Sequence, residues 1–152
     1  MEMSRTEILQ FNIGIVAAQN QHDKYDEYFT YSLSRNKRAQ KDIVETIQEG
    51  QKKILEKYND ELRVLSEKLC DRENGKPYSE NGQYRFIENG IRYTNEKKIL
   101  DEKYKPDIDR NKAFMAEKDN VDVYIHKHQF PALHGDIADF LFPMREEPKE
   151  IK

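Results

Sequence analysis

The feature that most constrains this sequence is an apolar stripe with helical spacing that runs through its first 69 residues. From Ile8 onward, apolar or aromatic side chains recur mostly three or four residues apart, as they do on one face of a helix. The first part predicts a helix over about 6–28, and the second predicts a helix over about 34–69. The residues that carry the two parts are Ile8, Phe11, Ile15, Ala18, Tyr25 and Phe29, then Ile43, Ile47, Ile54, Tyr58, Leu62, Leu65 and Leu69.

The segment Thr30–Ser34 separates the two predicted helices. It is poor in strong helix formers and rich in side chains that compete for backbone hydrogen bonds, so we expect one helix to end there and the next to begin. The alternative is a single rod over 6–69, because Ala39, Ile43 and Ile47 nearly continue the same period. His22 falls on the stripe and is interpreted as a half-buried interface histidine.

After Cys70 the pattern changes, and the tripeptide Glu-Asn-Gly occurs three times. Asn-Gly is a strong hairpin signal because both residues accept the positive φ of a type I′ turn, so we expect a β-meander over about 76–93. Farther along the chain, the spacing predicts a helix kinked by Pro106, then a strand, a short helix and a flexible charged tail. These four predicted elements span about 94–118, 121–126, 135–141 and 145–152.

Together these elements predict a mainly helical α+β fold. It contains a long antiparallel helical hairpin, a small antiparallel β-meander, and a C-terminal strand and short helix. Charged residues make up 36% of the chain and the mean hydropathy is -1.03, which favours a single elongated domain over 1–144. The stripe needs a cover, which the first helix, the later helix or a second copy of the chain could supply as in a coiled coil.

Charge and cysteine content exclude few classes of protein. The net charge of -3 is mixed along the chain, so no global field would gather nucleic acid or an anionic membrane. Cys70 is a single cysteine, and the N-terminus lacks the pattern of a signal peptide, so we expect a reducing compartment. No apolar run approaches the length that crosses a bilayer, and we expect no membrane association.

Candidate catalytic chemistry is sparse in this sequence. His126 and His128 lie two apart on a predicted strand and could share a metal, but no HExxH or paired CxxC motif completes such a site. A structural or exposed role for both histidines is the favoured interpretation. Cys70 has no neighbouring motif of a nucleophile, and no glycine-rich phosphate loop is present. We therefore expect no enzyme activity, no cofactor and no metal.

A partner surface is the remaining kind of site. The stripe suggests contact with a protein partner or homo-oligomer, and the basic run at the start of the second helix suggests contact with a partner protein or, alternatively, with nucleic acid phosphates. The predicted partner-binding residues are Ile8, Phe11, Ile15, Tyr25, Phe29, Arg35, Lys37, Arg38 and Lys41.

The order of short segments from Ser34 to Ile125 resembles a family of small uncharacterised bacteriophage and prophage proteins. The segments are Ser34-Arg35-Asn36-Lys37-Arg38, Ile54-Leu55-Glu56-Lys57-Tyr58, Asp71-Arg72-Glu73-Asn74-Gly75-Lys76-Pro77, Asn81-Gly82-Gln83-Tyr84 and Val121-Asp122-Val123. The resemblance implies a viral protein that serves as a virion component or assembly factor, or that inhibits a host defence protein. It also implies a location in the cytoplasm of the bacterial host cell or in the virion, and it brings no catalytic residues.

Overall fold

The structure, a computed structural model, describes residues 1–21 and 24–146 and is mainly helical with short antiparallel strand pairs. The prediction of a mainly helical α+β fold is confirmed. The helices are α1 (Arg5–Gln19), α2 (Glu27–Leu69), α3 (Gly90–Lys103), α4 (Lys105–Ala116) and α5 (Gly135–Phe140), followed by a 3-10 helix (Phe142–Met144). The strands are β1 (Glu2–Ser4), β2 (Arg72–Glu73), β3 (Lys76–Pro77), β4 (Ser79–Glu80), β5 (Gln83–Tyr84) and β6 (Lys118–Asn120).

The contacts divide the chain into two compact units. Unit 1 consists of Met1–Glu49 with Phe114–Lys152, and unit 2 of Gly50–Ala113. Helix α2 therefore contributes its first part to unit 1 and its second part to unit 2. The expectation of a single domain stays a prediction. None of the helices in the described part of the chain is long and apolar enough to cross a bilayer.

Helix α1 is shorter than the sequence predicts. It begins at a capping box, in which the Ser4 side chain accepts a hydrogen bond from the Glu7 N–H and the Glu7 carboxylate accepts one from the Ser4 N–H. It ends at Gln19, with the N–H of Asn20 donating to the last turn, so its predicted extension to residue 28 is wrong. His22 and most of the predicted tail, residues 147–152, lie outside the described residues.

Helix α2 begins at Glu27 and continues through the predicted break at 30–34. Asp26 caps it, because its carboxylate accepts a hydrogen bond from the Phe29 N–H at 2.8 Å. The hydroxyls of Thr30 and Ser32 donate to the carbonyls four residues back, so neither side chain ends the helix. The predicted break at 30–34 is therefore wrong, and so is the alternative of one rod over 6–69, since α1 ends at Gln19 and residues 25 and 26 are not helical.

The apolar stripe of α1 and of the first part of α2 is buried in the core of unit 1. Strand β1 pairs antiparallel with β6, and α1 packs on α5. The core residues are Met3, Ile8, Phe11, Ile15, Ala18, Phe29, Leu33, Val44, Ile47, Met115, Val121, Leu141 and Met144. Elements of this chain therefore cover this part of the stripe.

The segment predicted as a strand over 121–126 joins no sheet, apart from an isolated bridge between His126 and Arg145. Its backbone instead binds two buried side chains of α2. The Gln40 amide donates to the Asp122 carbonyl, and Asn36 exchanges two hydrogen bonds with the Tyr124 backbone. The two repeats have nearly the same length, because four residues of a helix span about 6 Å and two residues of an extended chain span about 6.6 Å. Every second residue of the segment therefore lies opposite every fourth residue of α2.

This ladder continues at His126, whose Nδ1 lies 2.8 Å from the Ser32 hydroxyl. The polar ladder is thus Ser32, Asn36 and Gln40 on α2 with residues 122–126 opposite. These contacts hold the segment extended without a neighbouring strand. Its alternating sequence pattern therefore does not correspond to a strand of a sheet.

In unit 2, the second part of α2 and α3 form an antiparallel helical hairpin. Hydrogen bonds join Tyr58 to Asp101 and Ser66 to Tyr93 across it, so residue numbers rise on one helix as they fall on the other. Helix α3 begins at Gly90 instead of 94, and the chain turns from α3 into α4 at Tyr104, close to Pro106 as predicted.

The β element between these helices consists of two separate hairpins, β2–β3 and β4–β5, instead of one continuous meander. Their turns contain Asn74-Gly75 and Asn81-Gly82, and all four residues have positive φ, as the sequence predicts. The third Asn-Gly instead starts α3. The Asp71 carboxylate accepts from the N–H groups of Ile87 and Glu88 and from the Arg85 side chain.

Candidate protein-binding site

Four of the predicted partner-binding residues lie in the core of unit 1. Ile8, Phe11, Ile15 and Phe29 are each at most 1% exposed. Their side chains therefore have no surface left for a partner, and this part of the prediction is corrected. Tyr25 is half-buried, with its ring edge-on to Phe29 at a centroid distance of 4.8 Å.

The basic residues Arg35, Lys37, Arg38 and Lys41 are all exposed. Successive residues of a helix are rotated by about 100°, which spreads these four side chains over about 160° of the circumference of α2. Arg35 and Lys37 point in directions about 200° apart. Arg35 therefore lies at one edge of a broad basic surface, away from Lys37 and Lys41.

Arg35 belongs instead to an aromatic cluster that we call the Tyr–Arg surface, made of Tyr28, Tyr31, Arg35, Tyr124 and His128. The Arg35 guanidinium lies 4.9 Å from the centroid of the Tyr124 ring, and its Nη1 donates to the Tyr31 hydroxyl at 2.9 Å. The two tyrosine rings meet edge to face at 5.7 Å. Ring faces attract a cation, so these contacts hold the guanidinium in place at the surface.

The other end of the Tyr–Arg surface is a stacked pair. The Tyr28 and His128 rings lie parallel with centroids 4.1 Å apart. Tyr28 and Tyr31 are 51% and 52% exposed, and Tyr124 is 37% exposed. Large aromatic area is therefore open to solvent on this side of unit 1.

Two structural features place these side chains together. Tyr28, Tyr31 and Arg35 are three and seven residues apart on α2, which puts them on one helix face. Tyr124 lies in the segment that the polar ladder holds against α2, where Asn36 fixes its backbone directly, and His128 follows two residues after that segment. The buried ladder is thus the support for the exposed rings.

The chemistry of the Tyr–Arg surface suits recognition of another protein. No carboxylate within residues 1–21 and 24–146 lies at ion-pair distance from Arg35. Its remaining N–H donors can take a carboxylate or a backbone carbonyl, and the tyrosine rings offer rigid apolar area with a polar tip. Tyr and Arg are also the residues that dominate binding energy at protein interfaces.

The histidines considered as metal ligands have separate surroundings. His126 is 1% exposed and bound to Ser32, whereas His128 is exposed and stacks on Tyr28. Within the described residues, no three His, Cys, Asp or Glu side chains are grouped so that they could hold a metal ion. His126 contributes to the core and His128 to the Tyr–Arg surface.

Comparison of this chain with protein-family models, with curated proteins and with solved structures gave no significant match.

Sequence reasoning found Arg35 but missed the aromatic members of the site. The spacing of Tyr28, Tyr31 and Arg35 is a signal that could have been read, had the helix been predicted to run through residues 30–34. No sequence signal places Tyr124 and His128 beside them, because the side-chain ladder that does so joins residues about ninety positions apart.

Proposed function

We propose that this chain is a non-enzymatic, phage-type protein–protein interaction protein that binds its partner through the Tyr–Arg surface. The observation that carries the proposal is the exposed cluster in which Arg35 contacts the rings of Tyr31 and Tyr124 and has no carboxylate partner among the described residues. Such a cluster is already ordered before binding, so little side-chain entropy is lost when a partner covers it. In this role the protein serves as a virion component or assembly factor, or as an inhibitor of a host defence protein.

The test is capture of a partner from purified phage particles and from a lysate of the bacterial host. The full chain is compared with the double variant Tyr31→Ala/Arg35→Ala and with the control Lys37→Ala/Lys41→Ala, which removes charge from another face of α2. Loss of a hot spot costs about 2 kcal/mol or more, so we expect retention of the partner to fall about 30-fold or more in the first variant only.

The identity of the captured protein separates the two roles, since a particle protein indicates assembly and a host protein indicates inhibition. If both variants retain the partner equally, or if no protein is retained in either preparation, the proposal is wrong. Circular dichroism on each variant shows whether the helices are intact.

A second candidate function is nucleic-acid binding through the basic cluster Arg35, Lys37, Arg38 and Lys41. Its support is that all four side chains are exposed and that Arg35 has aromatic neighbours on which a base could stack. Binding to a fluorescent oligonucleotide should then weaken steeply with salt. Unchanged binding after charge reversal at all four positions would exclude this function.

A further inference from the structure

A second, independent surface lies on the helical hairpin of unit 2. The second part of α2 and α3 border an open groove of about 610 Å³. Its floor is apolar, and two of its apolar side chains, Val64 and Ile99, are 61% and 67% exposed. Large apolar side chains at such exposure mark a face that gains free energy when it is covered.

The two helices that border the groove carry the same eight-residue pattern. Residues 61–68 of α2 and residues 96–103 of α3 each begin with Glu, have two apolar residues in the middle and end with Lys. The pattern is Glu-x-x-apolar-apolar-x-x-Lys, with Val64-Leu65 at one centre and Ile99-Leu100 at the other. The glutamate and the lysine are seven residues apart, about two helical turns, so they lie on the same side of each helix. All four of these charged residues line the groove.

The two patterns also lie opposite each other on the two helices of the hairpin. The Lys103 ammonium donates to the Glu61 carboxylate at 2.9 Å, which joins the start of one pattern to the end of the other. Because α2 and α3 are antiparallel, the two apolar centres lie side by side, and Lys68 and Glu96 share the opposite end of the groove. Each end therefore carries one acidic and one basic residue from the two patterns.

We propose that the groove is covered by the same groove of a second copy of this chain, forming a two-fold symmetric four-helix interface. A two-fold axis across the middle of the groove brings the Glu61 end of α2 against the Lys68 end of α2 in the other copy, with the apolar centres in contact. A two-fold axis along the helices brings α2 against α3 of the other copy and again places Glu opposite Lys. Acid meets base in both arrangements, as at the flanking positions of antiparallel coiled coils.

The charge pattern is what favours a second copy over other occupants. An isologous contact requires a surface that is complementary to itself, and this groove has opposite charges at matching distances from its centre on both helices. An acidic peptide or nucleic acid would need a basic rim, whereas the two patterns supply two glutamates and two lysines. The proposal concerns unit 2 alone and does not depend on the function proposed for the Tyr–Arg surface.

Sedimentation equilibrium of the full chain from about 1 µM to about 1 mM, the range of weak to moderate association, tests the proposal. We expect a dimer in the wild type and a monomer in the double variant Val64→Glu/Ile99→Glu, because four carboxylates would meet in the apolar centre. The matched control Ile87→Glu/Ile91→Glu introduces the same two charges at side chains that are 76% and 82% exposed outside the groove, and it should remain dimeric. A monomeric wild type, or a double variant that still dimerises, would overturn the proposal.

Charge exchange tests the pairing itself. Lys68→Glu should weaken self-association, because it places Glu opposite Glu in both arrangements. Mixing it with Glu61→Lys should restore a dimer if α2 packs on α2, and mixing it with Glu96→Lys should do so if α2 packs on α3. Restoration in one mixture supports the proposal and identifies the axis, whereas restoration in neither mixture contradicts it.

Discussion

At the scale of single residues, Gly14 shows how closely α1 approaches its neighbour in unit 1. A Cβ atom at this position would lie 2.7 Å from the Cβ of Phe140 and 3.2 Å from the Cδ2 of Leu141, shorter than van der Waals contact. The nearest of these atoms adjoins the backbone of α5, so it cannot move aside as the end of a flexible side chain can. Replacing glycine by alanine in a helix interior normally stabilises the helix by about 1 kcal/mol, but here the close contact opposes that stabilisation.

We therefore expect Gly14→Ala to destabilise the protein by up to about 2 kcal/mol, since overpacking costs about 1–3 kcal/mol and the gain in helix propensity is about 1 kcal/mol. Urea unfolding followed by circular dichroism measures the change. The control is Gly90→Ala at the start of α3, where an added Cβ meets nothing within 4 Å and stability should stay the same or rise slightly. Equal effects at the two glycines would contradict the close approach of α1 and α5.

At the scale of elements, the polar ladder between α2 and residues 122–126 is the contact that joins the fold of unit 1 to its candidate site. Asn36 both donates to the Tyr124 carbonyl and accepts from the Tyr124 N–H, and Asn36 itself is fully buried. Such a side chain takes the place of a neighbouring strand, because it satisfies both backbone groups of the residue that it faces.

We expect Asn36→Ala to lower the free energy of unfolding by about 1–3 kcal/mol, since it leaves these backbone groups without partners and opens a small cavity. The same variant should weaken partner capture, because the Tyr124 ring loses its support. Chemical denaturation gives the first value, and the capture assay gives the second. Asn59→Ala, at an exposed position of the same helix, should change the free energy of unfolding by less than about 0.5 kcal/mol. Similar losses in both variants would argue against the ladder.

At the scale of the whole molecule, hydrogen bonds stabilise the charged form of several carboxyl groups in unit 2. Hydrogen bonds from the Glu88 N–H, the Arg85 guanidinium and the Ile87 N–H lower the pKa of Asp71 below its usual 3.8. The Tyr58 hydroxyl and the Lys97 ammonium likewise lower the pKa of Asp101. In unit 1, the capping hydrogen bonds with Ser4 lower the pKa of Glu7.

A carboxyl group whose pKa is lower in the folded chain stabilises the fold fully above its unfolded pKa, and this stabilisation disappears as the pH falls through the folded pKa. We therefore expect unit 2 to lose structure before unit 1 as the pH is lowered below about 4, the usual range for these groups. Residue-resolved NMR during an acid titration measures this, with the Ile87 and Glu88 amides reporting on Asp71. The prediction fails if the amides of both units change together, or if Asp71→Asn leaves the Ile87 and Glu88 amides unchanged at neutral pH.

The sequence by itself determined the helical class, the Asn-Gly turns and the turn near Pro106, because each depends on interactions within a few residues. Helical spacing also identified the side chains that need a cover, although it could not distinguish a core from a partner surface. Ile8 and Val64 both have apolar side chains on helices, yet the first is fully buried and the second is 61% exposed.

Only the tertiary structure decided which parts of the stripe this chain covers and which residues form its open surfaces. The ladder from Asn36 to Tyr124 and the approach of Gly14 to Phe140 join residues far apart in the sequence, so no local pattern indicates them. The repeated Glu-x-x-apolar-apolar-x-x-Lys pattern was present in the sequence throughout. Its meaning depended on the antiparallel packing that brings residues 61 and 103 together at one end of a groove.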